Sequence, residues 1–221
     1  MWDSPSWRNT FDTTVLIGPI TESQIIFAWP SSASCWNGTE SKPFRKEGCT
    51  NAGISVGYIN NSFLRYNFTS LGQKAALVAT MLYESSGFKE NISRMPGRRG
   101  QGTKGMLLFN YIYDYAWDQP ELQEQLLKLR SGNPHPFSYS LTLILIEIRY
   151  TFGAAGWYLR EKCDKEIYEK LTEDGYEGFS TYVEECLEAG NVESDRLEVW
   201  CKTIDALTPA GIPHPEQCSP K

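Results

Sequence analysis

The sequence has 221 residues, of which 41% are hydrophobic and 22% are charged, so it is long enough to form a sizeable core. Its formal net charge of −6 argues against a nucleic-acid partner, because such partners require a basic surface. No apolar run reaches the length of a membrane span, and we therefore expect no membrane partner.

We interpret residues 1–50 as an N-terminal wrap with a disulfide loop and residues 51–221 as a helical domain. Two β-like runs in the wrap, residues 13–17 and 24–28, could pair as edge strands or form irregular chain. No linker long enough to divide domains follows them, so we expect one compact unit and a monomer.

The most informative stretch begins at Ser70, which with Gln73 forms the capping box of a predicted helix. This helix is apolar on nearly every face, which is typical of a buried helix. Glu84 stands at its end, where desolvation should raise the pKa of a carboxyl group and suit it to general-acid catalysis. The other interpretation is an ordinary helix-terminal carboxylate that reaches solvent or pairs with an arginine.

A glycine-rich basic loop follows Glu84, with glycines at 97, 100, 102 and 105. It contains no Walker pattern, which argues against a nucleotide-phosphate site. The loop is either an exposed turn with solubilising charge or one wall of a cleft that holds an anionic sugar polymer. Its four basic side chains are Arg94, Arg98, Arg99 and Lys104.

The rest of the chain reads as helices. Small residues at 153–156 predict close helix packing, and residues 161–205, with 14 acidic and 5 basic side chains, predict a solvated acidic face. Periodicity does not separate strand from helix at 139–150, but the position between helices favours one long buried helix. The other predicted helices are 51–68, 106–117, 120–129, 165–171, 179–187 and 194–206.

Six cysteines without a CxxC pair predict three disulfides in an oxidising compartment, with Cys35 bonded to Cys49 and the other four paired among themselves. His135 and His214 are each flanked by prolines, so we predict no metal site and no cofactor. The first residues lack a signal-peptide pattern, and we expect Met1 to precede a mature secreted chain. Four glycosylation sequons also agree with secretion: Asn37, Asn60, Asn67 and Asn91.

The segments ALVATMLYESSGF and GTKGM, in that order, resemble the lysozyme superfamily, nearest the goose-type lysozymes and soluble lytic transglycosylases. The resemblance covers roughly residues 70–109, with a weaker match at 151–159, and extends to a group of secreted fungal muramidase-like proteins. One position departs from the family pattern, because Leu107 stands where transglycosylases have glutamine.

The resemblance implies a mainly α, lysozyme-like fold and a secreted glycosidase with Glu84 as general acid. It implies cleavage of β-1,4 bonds in an N-acetylated amino-sugar polymer, foremost peptidoglycan. A chitosanase or chitinase is a second hypothesis, since negative charge suits cationic chitosan. A carbohydrate-binding or interaction protein without catalysis is a third.

The resemblance does not identify a second catalytic carboxylate. Inverting hydrolysis needs a second carboxylate about 6.5–9.5 Å from the acid, whereas lytic transglycosylases use one carboxylate. The candidates for the second carboxylate are Asp114 and Glu90, followed by Asp118 and Glu22. The predicted substrate contacts are Ser85, Arg98, Arg99, Gln101, Thr103, Lys104, Met106 and Tyr111.

Overall fold

The computed structural model describes residues 12–35, 48–93, 98, 100–132 and 147–219. Within these ranges the chain is mainly helical, which confirms the predicted fold class. None of the described helices is long and apolar enough to cross a membrane. The α-helices are α1 (Glu22–Ala28), α2 (Ala52–Tyr66), α3 (Leu71–Glu84), α4 (Phe109–Trp117), α5 (Gln123–Gly132), α6 (Ile148–Thr151), α7 (Gly153–Glu161), α8 (Lys165–Glu173), α9 (Gly175–Thr181) and α10 (Ser194–Leu207).

Helix α3 forms the centre of the core. Each of its residues from 71 to 82 is buried, and the helix packs against α7, α8, α9 and α10. The predicted capping box is present: the Gln73 backbone N–H donates to Ser70 Oγ at 3.3 Å, and the Ser70 N–H donates to Gln73 Oε1 at 3.4 Å. A side chain at Gly72 would collide with the Leu171 carbonyl, 1.9 Å from an added Cβ, so glycine permits the close approach of α8.

The N-terminal segment differs from its β-like prediction. Residues 24–28 belong to α1, whose capping box pairs Thr21 with Gln24, and this local hydrogen bonding outweighs the β propensity of the isoleucines. Residues 13–17 are extended, but they pair with the start of α3 through a single antiparallel bridge between Leu16 and Ser70. Of the two alternatives that the sequence left open, residues 13–17 thus follow the irregular one, and they lie against the start of α3. Most of the 139–150 stretch lies outside the described residues, which resume at α6.

The described residues contain three disulfides, and no described cysteine is free. Cys35 bonds Cys49 as predicted, and the four C-terminal cysteines pair among themselves as Cys163–Cys186 and Cys201–Cys218. Disulfides of this kind persist in oxidising compartments, which supports an extracellular protein.

A buried lysine fixes the loop that follows α3. Lys104 is fully buried, and its ammonium donates to the carbonyls of Gly48 at 2.9 Å, Phe88 at 2.9 Å and Glu90 at 3.1 Å. Three N–H donors thus meet three acceptors. Burial lowers the pKa of Lys104 to about 7, although the charge of Glu90 opposes that shift. Lys104 therefore supports the loop from inside, and its predicted contact with substrate is wrong for this conformation.

This burial predicts a pH-dependent stability. In the unfolded chain the lysine pKa returns to 10.5, so between pH 7 and 10.5 the unfolded state binds one more proton than the folded state. The free energy of unfolding should rise with pH in that window, by about 1.4 kcal/mol per pH unit from this group. Urea denaturation at pH 7.5 and pH 9 should show that Lys104→Met removes this rise.

Lys128 provides the matched control, because it pairs with Glu124 on the exposed face of α5. Lys128→Met should keep the full pH slope of the wild type. An unchanged slope in Lys104→Met would show that the buried amine does not titrate in this window.

Candidate active site

A cleft of about 350 Å³ opens at the C-terminal end of α3. Glu84 lines it, together with Gln101 and Met106 from the glycine-rich loop and the segment 187–189. Tyr111 of α4 and Tyr158 of α7 complete the lining. The end of the buried helix is thus an open site, as the sequence predicts.

Glu84 forms an ion pair at the edge of this cleft. Nη2 of Arg196, on α10, donates to Glu84 Oε1 at 2.6 Å. The Arg196 side chain is 9% exposed and that of Glu84 is 26% exposed, so the carboxylate is the member of the pair that reaches the cleft. The sequence left open whether Glu84 pairs with an arginine, and the structure shows that it does.

Tyr83 holds the arginine in place from its other side. The Arg196 guanidinium lies over the Tyr83 ring, 4.2 Å from its centroid. The Tyr83 hydroxyl in turn donates to Asp195 Oδ2 at 3.1 Å. Burial, together with this hydrogen bond to Asp195, raises the pKa of Tyr83 to about 12, so the hydroxyl remains a donor at physiological pH. Arg196, which pairs with Glu84, is therefore itself held in place by Tyr83.

Two tyrosines give the cleft an aromatic wall. The rings of Tyr111 and Tyr158 meet edge to face, with centroids 4.8 Å apart. The Tyr158 hydroxyl donates to the Cys186 carbonyl at 3.0 Å, and its burial, with Tyr111 close by, raises its pKa. Tyr158 is therefore anchored, whereas Tyr111 is only half-buried and presents its ring to the cleft. An aromatic face of this kind suits the apolar face of a sugar ring.

The described part of the glycine-rich loop, residues 98 and 100–107, contains internal hydrogen bonds. Gln101 Nε2 donates to the Met106 carbonyl at 2.9 Å, and Gln101 Oε1 accepts from the Arg98 N–H at 3.3 Å. Gly102 forms antiparallel bridges with Ile92 and with Leu107. These contacts bring Arg98, Gln101 and Met106 to one wall of the cleft.

The segment 187–189, which forms another wall of the cleft, directly follows a disulfide-bonded cysteine. The segment 187–189 leaves a π-helical turn, Tyr182–Cys186, whose last residue is bonded to Cys163. The Leu187 N–H donates to the Tyr182 carbonyl at 3.0 Å. Glu188 is exposed at the centre of this segment and lines the cleft with Glu84. A second carboxylate therefore reaches the cleft from a part of the chain that the sequence did not indicate.

Backbone strain is concentrated around this site. Non-glycine residues with a left-handed backbone cost of order 1–3 kcal/mol each and cluster at functional sites in folded proteins. Of those in the described ranges, all but Asn67 lie in the loop after Glu84 or on the cleft wall: Ser86, Phe88, Thr103, Met106 and Glu188. The strain supports a functional assignment for the cleft.

The structure brings five of the site residues predicted from sequence into the cleft. Ser85 is buried and caps its own helix end, where its Oγ donates to the Met81 carbonyl at 2.5 Å. Thr103 is buried in the loop, and Arg99 lies outside the described residues. The residues that meet in the cleft are Glu84, Arg98, Gln101, Met106 and Tyr111.

The predicted second carboxylates do not line the cleft. Asp114 pairs with Lys162 at 2.6 Å, and Asp118 accepts from Trp157 Nε1 at 2.6 Å. Glu90 contributes its carbonyl to the Lys104 site, and Glu22 lies in the first turn of α1. Glu188 replaces them as the carboxylate that shares the cleft with Glu84.

Comparisons with known proteins give one partial match. No protein-family model matches the chain, and no solved structure matches it significantly. The chain is 31% identical over 153 residues to a bifunctional dioxygenase–epoxy alcohol synthase of Fusarium oxysporum (strain Fo5176). That alignment covers 68% of this chain but only 12% of the relative, so it assigns no chemistry to the cleft.

The disulfide next to Glu188 should control the order of the cleft wall. Replacing both Cys163 and Cys186 by alanine should lower the free energy of unfolding by about 2–4 kcal/mol, because the unfolded chain regains loop entropy. Hydrogen exchange followed by mass spectrometry should show faster exchange of the amides at 187–189. The matched control replaces Cys201 and Cys218, which should lower stability comparably but leave the exchange of 187–189 unchanged. Equal protection of this segment in both variants would contradict the role of the disulfide.

Proposed function

We propose that this chain is a glycoside hydrolase that cleaves β-1,4 bonds in an N-acetylated amino-sugar polymer, with peptidoglycan as its substrate. The observation that carries the proposal is the position of Glu84, whose carboxylate leaves the end of a buried helix and enters a cleft with aromatic and polar walls. The resemblance of residues 70–109 to lysozymes supports the same chemistry.

In the proposed reaction Glu84 is the general acid. Arg196 holds Oε1, so Oε2 is the oxygen left to protonate the glycosidic oxygen of a bound sugar. The C1–O bond then breaks, and the positive charge that develops on the sugar is stabilised by the carboxylate that remains. A general acid must carry its proton when the glycan is bound, so activity should fall as pH rises.

Glu188 is the candidate for the second carboxylate of this reaction. It shares the cleft with Glu84, whereas Asp114 and Glu90 do not line it. A water activated by Glu188 would give products with reducing ends. Attack by the sugar's own hydroxyl group would instead give anhydro ends and require no second carboxylate.

Glu84→Gln tests the acid directly. The variant keeps an oxygen that can accept from Arg196 but has no proton to donate, so the rate should fall by roughly two to four powers of ten. From the sequence alone, removal of a buried carboxyl predicts an equal or higher melting temperature. The structure reverses that expectation, since nearly buried Arg196 loses its counter-charge, and we expect a lower one.

The assay is the release of soluble fragments from peptidoglycan, chitin and chitosan, identified by mass spectrometry. Asp114→Asn is the matched control, because its carboxylate pairs with Lys162 outside the cleft, and it should retain activity. Substantial hydrolysis by well-folded Glu84→Gln would contradict the proposal. Binding of glycan without cleavage by the wild type would instead favour the carbohydrate-binding hypothesis.

Arg98 should read the charge of the substrate. Its exposed side chain lines the cleft, so Arg98→Ala should reduce activity on anionic peptidoglycan several-fold and weaken its salt dependence. Activity on a neutral chitin oligomer should change much less. Arg149→Ala, which removes an exposed arginine paired with Glu147, is the control for net charge. An equal loss of activity on both substrates would show that Arg98 stabilises the loop and does not bind the charged groups of the substrate.

A further inference from the structure

The structure distinguishes among the sequons that it describes. The sequence offers Asn60, Asn67 and Asn91 in the described ranges as acceptors for an N-linked oligosaccharide, each followed by serine or threonine two residues later. A glycan is bulky and needs a surface position. The three asparagines differ sharply in whether their side-chain nitrogen is available in the folded chain.

Asn67 ends α2 in an exposed, left-handed turn, with φ 58° and ψ 45°. Its backbone is held, because the carbonyl accepts from the Tyr168 hydroxyl at 2.7 Å. Its side chain makes no hydrogen bond to any other described residue, and Thr69, which completes the sequon, is also exposed. The neighbouring Leu64 is 80% exposed, so no described part of the chain covers this face.

The side-chain amide of Asn60 forms two hydrogen bonds with the backbone of one residue, Ile20. Its Oδ1 accepts from the Ile20 N–H at 2.9 Å, and its Nδ2 donates to the Ile20 carbonyl at 2.9 Å. Because Oδ1 and Nδ2 both bond to Ile20, the Nδ2 proton that donates is the one on the same side of the C–N bond as Oδ1. A substituted amide prefers the trans form, which places the new carbon at that same position. A glycan on Asn60 would therefore displace Ile20.

Asn91 is enclosed within the loop after α3. It is 5% exposed, and its Cβ lies only 3.2 Å from the position where Gly48 would carry a Cβ. Its carbonyl accepts from the Thr103 N–H at 2.8 Å, which holds the residue inside the loop. No space remains around this side chain for a sugar.

We propose that Asn67 carries an N-linked oligosaccharide in the secreted protein and that Asn60 and Asn91 do not. In the transfer, Asn67 Nδ2 forms a bond to C1 of a lipid-linked oligosaccharide diphosphate. The bond between C1 and the diphosphate breaks, and the amide proton lost from Nδ2 is taken up by solvent. No oxidant or reductant takes part.

The glycan would leave the cleft open. Asn67 lies on the rim of a separate groove of about 260 Å³, together with Phe63 and Lys74. That groove has no lining residue in common with the cleft at Glu84. A glycan at Asn67 would therefore start from a surface that does not line the cleft.

The test is a site-resolved map of the full chain secreted by a yeast that attaches N-linked oligosaccharides. Release of the glycans by an amidase in ¹⁸O-labelled water converts each occupied asparagine to labelled aspartate, which peptide mass spectrometry locates. We expect label at Asn67 in most molecules and none at Asn60 or Asn91. Thr69→Ala should lose the label at 67, whereas Thr69→Ser, which retains the sequon, should keep it.

Two further variants test the sites that we exclude. Ser62→Ala removes the sequon of Asn60, and Ser93→Ala removes that of Asn91, so both should leave the glycan pattern of the secreted protein unchanged. An unlabelled Asn67 in secreted wild-type protein would overturn the proposal. Label at Asn60 or Asn91 in folded protein would do so as well.

Discussion

The position of the cleft depends on the buried side-chain nitrogen of Lys104. The carbonyls of Gly48, Phe88 and Glu90 turn inward to meet it, and these residues belong to two separate stretches of the chain. Without the Lys104 side chain each of these carbonyls would lose a buried donor, at a cost of about 1–3 kcal/mol for each group left unsatisfied. The Phe88 carbonyl would keep a second donor, the Thr50 N–H at 3.0 Å. The hydrogen bonds of Lys104 Nζ thus join the glycine-rich segment to the chain around Gly48 and Phe88.

A second long-range contact joins the end of the chain to the site. Arg196 lies 112 residues after Glu84, and the ion pair between them connects α10 to the mouth of α3. The Tyr83 ring and Asp195 complete a small network around that pair. Because α10 also packs against α1, the C-terminal and N-terminal parts of the chain both bear on the orientation of one carboxylate.

The sequence predicted those features of the structure that depend on residues close together in the chain. The capping box at Ser70, the buried α3 and the Cys35–Cys49 disulfide depend on neighbouring residues and were predictable. Arg196 and Glu188 were not, because only tertiary packing brings them to the cleft. Lys104 looked like a cleft cation because a basic residue among glycines usually faces solvent, and nothing in its neighbours reveals three inward carbonyls. Residues 24–28 became helix because the cap at Thr21 outweighed side-chain preference.

The strained backbone around the cleft has a consequence for evolving more heat-tolerant forms of this protein. Left-handed positions at Met106 and Glu188 are places where asparagine or glycine would relieve strain, so they offer simple routes to higher stability. Both side chains line the cleft, and selection for stability alone would therefore erode the site first. A lineage that keeps methionine and glutamate at these positions gives up stability in order to keep the shape of the cleft.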